Sequence, residues 1–278
     1  MKHLIFTITA TLFTAGLFAQ TKTDTVVTTT TTVITTTGDT TVTTDTIKPR
    51  KNRFKFSWNN KRDSIKAHSK KPGFSWGLTL SRVDIGFATL VDNGSFKLSP
   101  ENEFLRYRSW KSSNFAFDAI QMGYRFNSSF KIYISGGFDW TSFRLREDVT
   151  ILKGQPVLTH TEDDIDYRKN TFSYTYFRVP LTFYWRSKDD NNGHRFQLAG
   201  GPIAGILING HTKHKSDENG TQKNSGGYNL TKFQYGGFLR VGYGGIGVFA
   251  KYYMNDMFDD SPAQKGLKNL SVGATIGF

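Results

Sequence analysis

The sequence predicts an all-β protein: an eight-stranded antiparallel up-and-down transmembrane β-barrel with a disordered N-terminal extension. Three observations predict it. From Gly73 onward, long segments alternate apolar and polar residues with a period of two, the pattern of strands with one face in lipid. The connections between these segments alternate between short and long. Beyond the N-terminus, no run reaches the roughly 18 apolar residues that a spanning helix requires. The mean hydropathy of -0.44 is compatible with a barrel, because only every second strand residue faces lipid.

The eight segments run near Ser75–Leu90, Asn114–Phe126, Lys131–Arg146, Phe172–Arg186, His194–Ile208, Asn229–Gly242, Ile246–Asn255 and Leu267–Phe278. Short polar or glycine turns join the second to the third, the fourth to the fifth and the sixth to the seventh. The other four connections are long, and one-sided long loops are the barrel pattern, with the short turns periplasmic. Both termini are therefore expected in the periplasm and the barrel in the cell outer membrane. Aromatic content of 15% and 27 glycines suit aromatic girdles and close strand packing.

Three segments precede the barrel. Residues 1–19 read as a signal peptide, with Lys2 before an apolar run that ends at Leu17-Phe18-Ala19. Residues 20–72 read as a periplasmic extension, Thr-rich and then basic. Threonine fills 16 of the 27 positions from Thr21 to Ile47, too little apolar bulk to offset chain entropy. Asp24-Thr25-Val26, Asp39-Thr40-Thr41, Asp45-Thr46-Ile47 and Asp63-Ser64-Ile65 resemble the O-glycosylation acceptor of Bacteroidota. From Lys48 to Lys71, ten cations stand against Asp63 alone and carry +9 of the chain's net +13. Export argues against nucleic acid as the partner. The stretch is expected to lie on an anionic leaflet, to cover the barrel mouth, or to be a solvated linker. With no cysteine in the chain, disulfides, thiolate metal sites, thiol nucleophiles and a lipoprotein anchor are excluded.

Two motifs carry a resemblance to a known family. Tyr176-Phe177-Arg178-Val179-Pro180-Leu181-Thr182-Phe183-Tyr184 resembles a strand motif of the PorT-like outer-membrane β-barrel domain of Bacteroidota, with Arg178 where the usual residue is an acid. Ala199-Gly200-Gly201-Pro202 is similar to the element that follows it. The terminal strand resembles the signal read by the barrel-assembly machinery, carried here by Ser271, Gly273, Ile276 and Phe278. The resemblance spans Gly73 to Phe278 and implies an eight-stranded barrel of mostly unassigned function.

Strand parity nominates a lumen network of Arg82, Asp84, Arg125, Asp139, Arg178, Arg240 and Lys251, with Gln121 and Gln234 beside them. An eight-stranded barrel is just wide enough for side chains to fill, so these charges are expected to pair across a packed core. The set has more bases than acids, which would call for water or an inserted acidic segment. Pro180, unable to donate to the ladder, predicts a bulge near it.

No catalytic residue, metal or cofactor is predicted. The histidines of the mature chain offer no Ser-His pairing suited to a hydrolase. His211, His214, Asp217 and Glu218 lie among lysines, and Glu162, Asp163, Asp164 and Asp166 lack the spacing of an EF-hand. The expected role is non-enzymatic, structural or interaction, within the envelope. A small pore or transporter is the alternative, followed by a lipid-modifying enzyme. Expected partners are outer-membrane lipid, the assembly machinery, and an envelope protein met through the basic extension or the long loops.

Overall fold

The computed structural model describes residues 72–79, 82–190 and 193–277. The signal peptide, the Thr-rich tract, the basic stretch and Phe278 lie outside the described residues.

Twelve strands follow one another: β1 (Gly73–Leu78), β2 (Val83–Asp92), β3 (Ser113–Arg125), β4 (Phe130–Arg144), β5 (Val149–Ile151), β6 (His160–Glu162), β7 (Lys169–Arg186), β8 (Phe196–Ser216), β9 (Gly220–Gly226), β10 (Phe233–Tyr243), β11 (Ile246–Tyr253) and β12 (Leu267–Ile276). β1 and β2 both pair with β3, on its lower and upper halves, and act as one broken barrel strand. Each barrel strand then pairs with the next, and β12 closes on β2. The result is a ring of eight antiparallel strands. The small hairpin β5–β6 and strand β9, which pairs only with β8, belong to the long connections.

The register fixes how far the strands lean. Registered partners can be followed around the ring from Ile246 through Ile276, Val83, Phe117, Phe138, Phe177 and Ile206 to Phe233. Ile246 also pairs with Tyr243 of β10, ten residues from where the circuit returns. A stagger of this size in a ring of eight tilts the strands by about 40°. Every residue on the circuit is apolar or aromatic, and it winds around the outer wall as one continuous stripe. Outward positions such as Phe87, Met122, Phe183, Leu198, Leu239 and Val248 remain exposed. A soluble domain would bury such a surface, so the surrounding medium is hydrocarbon.

The turns at the short end are built from local chemistry. Asn127 Oδ1 accepts from the backbone N–H groups of Ser129 and Phe130, both at 2.8 Å. Gly244 and Gly245 take φ of 64° and 104° and form a two-residue hairpin, a geometry that glycine adopts without strain. At the closing seam Gly86 faces Gly273, and a Cβ on Gly86 would stand 2.2 Å from the Val272 carbonyl oxygen. At this pair the two strands approach so closely that neither can carry a side chain.

Two bulges change what each strand presents. In β3, Asp118 pairs with Gly137 and Ile120 with Gly136, leaving Ala119 unpaired. Asn114, Ala116 and Asp118 face inward before it, and the odd residues after it. Between β7 and β8, the register slips at Thr175/Tyr176. Beyond it the inward residues of β8 change from odd to even, and the strand runs on to Ser216, well past the expected end at Ile208. The bulge expected near Pro180 is absent. The β4–β7 register is unchanged across it, and only the pairings opposite Ser135 and Gly136 are missing, as suits a residue with no N–H to give.

Candidate functional site: a filled lumen beneath a roofed crown

Inside the ring, charged side chains from six of the eight barrel strands form a single belt. Its hub is Arg178 of β7, 1% exposed. Its Nε and Nη2 donate to Asp118 Oδ1 at 3.1 and 2.7 Å, and its Nη1 donates to Asp84 Oδ2 at 2.9 Å. Asp84 also accepts from Arg240 at 3.1 and 2.7 Å and from the Thr275 hydroxyl at 2.8 Å. Asp118 further accepts from Arg82 Nη1 at 3.0 Å, while Arg82 Nη2 donates to Gln121 at 3.2 Å. A second knot lies above. Asp139 accepts from Lys251, from the Tyr253 hydroxyl at 3.0 Å and from Asn114 Nδ2 at 2.6 Å, and Asn114 Oδ1 takes a further bond from Lys251 at 3.1 Å.

Six of the seven residues nominated by parity thus meet in the belt. Arg125 does not join it and lines the short-turn mouth with Lys131 and Arg186. There the Lys131 ammonium sits over the rings of Tyr133 and Tyr184 at 4.9 and 4.3 Å, around a cleft of about 20 Å³. The acid missing from the sequence-derived set is Asp118. Strict alternation pointed it outward, and the bulge at Ala119 turns it in. The adjacent Gly136-Gly137 was the available signal, since glycines inside a strand mark bulges. With Asp118 included, three carboxylates face four cations, and no inserted acidic segment is required for the pairing. The belt also explains the charge at position 178: between Asp84 and Asp118, the arginine is the counter-ion.

Above the belt the filling changes character. Tyr174 accepts from Asn269 at 2.7 Å, and the Tyr176 hydroxyl donates to the Thr231 carbonyl at 2.6 Å. Over this tyrosine layer lies an apolar cluster drawn from strand ends and all the long connections. It includes Leu90, Leu105, Phe143, Ile151, Leu158, Phe172, Tyr228, Leu230, Phe258 and Leu267. Short 3-10 turns at Pro100–Leu105 and Pro262–Gln264 seat part of it. Polar clamps fasten the rim. Asp92 Oδ2 accepts from the Ser99 N–H and hydroxyl, both at 2.7 Å, and from Asn102 at 3.0 Å. Burial opposes the Asp92 charge, but these bonds outweigh it and hold the carboxyl below its usual range.

The other residues weighed as candidates are dispersed. The β8 alternation puts His211 outward and His214 inward, on opposite faces of one strand. His214 is buried against the Tyr167 ring, 4.7 Å between centroids. Burial depresses its pKa, partly offset by the Asp163 carboxylate. Asp163 itself accepts from Thr150 at 2.6 Å and from the Tyr167 hydroxyl at 3.0 Å. Among the described residues no group of three or more His or carboxylate side chains is placed to hold a metal. Outside the crown, Glu101, Glu103, Glu147, Asp148 and Glu162 line a groove of about 660 Å³ beside the stacked Phe104 and His160 rings.

A closed ring, an apolar outer wall and a polar interior are the marks of a barrel that crosses a membrane. The outer membrane protein β-barrel domain matches this chain over residues 69–258. The chain belongs to that family. No curated protein matches it. The barrel is accordingly an outer-membrane protein, and the wall that carries the apolar stripe is its lipid face.

Proposed function

We propose that this barrel is a non-conducting, non-enzymatic component of the cell envelope, whose surfaces serve a structural or interaction role, as a subunit of a larger envelope assembly. The observation that carries the reading is the filled lumen. A hydrogen-bonded ionic belt spans the bore, a tyrosine layer and an apolar roof lie above it, and the mouth cleft beneath has room for about one water. The Tyr176–Tyr184 motif and the element at Ala199–Pro202 support placing the barrel with the PorT-like proteins of Bacteroidota. The one-sided long loops support the orientation, with the crown outside the cell and both termini in the periplasm. The basic extension and the crown are the surfaces available to a partner.

Crosslinking in intact cells tests the reading, comparing the full-length protein with a variant lacking Thr21 to Lys71. A discrete crosslinked species with the full-length chain is expected. Only monomer from both forms would contradict an interaction role. Lipid A from a deletion strain and its parent should have the same mass pattern; a changed pattern would favour the enzymatic alternative.

A further inference from the structure

Above the lipid face, the outward residues of β4, β7, β8 and β9 form registered rows, and their chemistry changes row by row. Lowest is Phe138–Phe177–Ile206, all apolar. Next comes Trp140–Thr175–Asn209, at the level of an aromatic girdle. The third row is Ser142–Ser173–His211–Ser225, three hydroxyls and an imidazole. The fourth is Arg144–Thr171–Lys213–Lys223, and beyond it Lys169 pairs with Lys215. Arg108 joins them, its backbone N–H donating to the Arg144 carbonyl at 2.8 Å. From Trp140 to Arg144 the chain rises roughly 13 Å along the strand, or about 10 Å along the membrane normal at the tilt given above.

Six cations therefore stand together at headgroup depth. Arg108, Arg144, Lys169, Lys213, Lys215 and Lys223 form no ion pair with a carboxylate among the described residues. The neighbouring Asp217 is engaged by Arg168 at 2.5 Å, and Arg144 donates to the Arg168 carbonyl. Burial and the surrounding cations Lys213, Arg144 and Lys215 lower the Lys169 pKa, a mark of mutual repulsion. In the belt, by contrast, every arginine and lysine has a carboxylate partner. A face that leaves six cations uncompensated, beside lipid and above a row of hydroxyl donors, is shaped for an external anion with several oxygen acceptors.

We propose that this face of the β4–β7–β8–β9 wall binds the phosphate groups of a phosphorylated glycolipid headgroup in the outer leaflet. The guanidinium of Arg144 and the ammonium groups of Lys213 and Lys223 are its main contacts, with the hydroxyl row beneath them. The inference rests on the orientation given under Proposed function, with the crown outside the cell.

Native mass spectrometry of the full-length protein in detergent tests it with three probes at equal concentration. These are bis-phosphorylated lipid A, the same lipid dephosphorylated, and phosphatidylglycerol, each with and without millimolar inorganic phosphate. The bis-phosphorylated lipid should be retained best. The triple variant Arg144→Gln, Lys213→Gln, Lys223→Gln should lose at least about tenfold of that retention, as expected for three cations near anionic headgroups. An equal change of net charge at exposed loop lysines, Lys97→Gln, Lys232→Gln, Lys265→Gln, should leave it in place. Heat-modifiable gel mobility verifies that each variant is folded. Equal retention of dephosphorylated lipid, no loss in the first triple variant, or the same loss in both would overturn the proposal. So would a site that takes up inorganic phosphate with no preference for the lipid, or one that prefers phosphatidylglycerol. Protease cleavage at the β8–β9 hairpin in intact cells separates the two levels. Cleavage without lipid retention rejects only this inference, whereas protection from outside rejects the orientation beneath it.

Discussion

The two halves of this barrel's interior are filled by opposite chemistries. At the level of the lipid-facing stripe, the bore holds Arg82, Asp84, Asp118, Asp139, Arg178, Arg240 and Lys251, each at most 5% exposed. Above it, where the wall meets water, the inside is Phe143, Phe172, Tyr228, Phe258 and their apolar neighbours. The difference shows that each level is filled according to the medium outside it. In lipid, burying apolar side chains gains nothing, so cohesion across the bore comes from directional, charge-assisted bonds. In water, burial of apolar area is again the main driving force, and the crown has the core of a small soluble domain.

Substitutions that exchange the two chemistries test this difference between the levels. The largest effect is expected in the belt. Arg178→Met leaves Asp84 and Asp118 without their shared counter-ion, and removing one partner of a buried pair costs about 3–5 kcal/mol. Urea unfolding of the folded barrel in detergent should show that loss, and Asp118→Asn in the same chain should recover part of it. An unchanged midpoint for Arg178→Met would show that the belt does not hold the barrel. Next is the crown. Phe172→Ala removes a fully buried ring and should cost about 3 kcal/mol. Its signature is location: the crown should become protease-sensitive while the barrel keeps its heat-modifiable mobility. Unfolding of the whole barrel would instead mean that crown and belt are one cooperative unit.

The rim gives smaller effects. Ser99→Ala removes one of the donors to Asp92 and should cost about 1 kcal/mol. It should also flatten the acid dependence of crown protection, because the Ser99 hydroxyl helps depress the Asp92 carboxyl and stability from a depressed carboxyl is lost as pH falls through its folded pKa. His214 gives the gentlest test, with a definite sign. Burial holds its folded pKa below the ordinary value, so an opened crown takes up the proton first as pH falls through the imidazole range. Protection of the crown from protease should therefore weaken between about pH 7.5 and about pH 5.5. In His214→Phe, which keeps a ring on Tyr167, that slope should diminish; an identical slope in both would assign it to other groups.

How much of this was legible in the sequence depends on parity. Segments such as Ile246–Tyr253 and Leu267–Ile276 keep one alternation throughout, and their extents are readable to within a few residues. Legibility fails where a bulge resets the count. Ala119 hid Asp118, and with it the charge balance of the belt. The slip beside Thr175 made β8 appear to stop at Ile208, hiding eight further residues and the cationic rows they carry. Strand β9, with sequence Gly-Thr-Gln-Lys-Asn-Ser-Gly, has no apolar face to alternate, because it pairs only with β8 and is solvated. The apolar crown was equally hidden. Leu105, Leu158, Leu230 and Phe258 are scattered singly over four connections, and only the closed ring brings them together.

Planar-bilayer recording of the full-length protein tests most directly whether the bore is filled by its belt and roof. The folded barrel is expected to show no stepwise conductance. Stable single-channel steps of reproducible size would contradict it, because an open water path cannot coexist with the Arg178 hub in its bonded place.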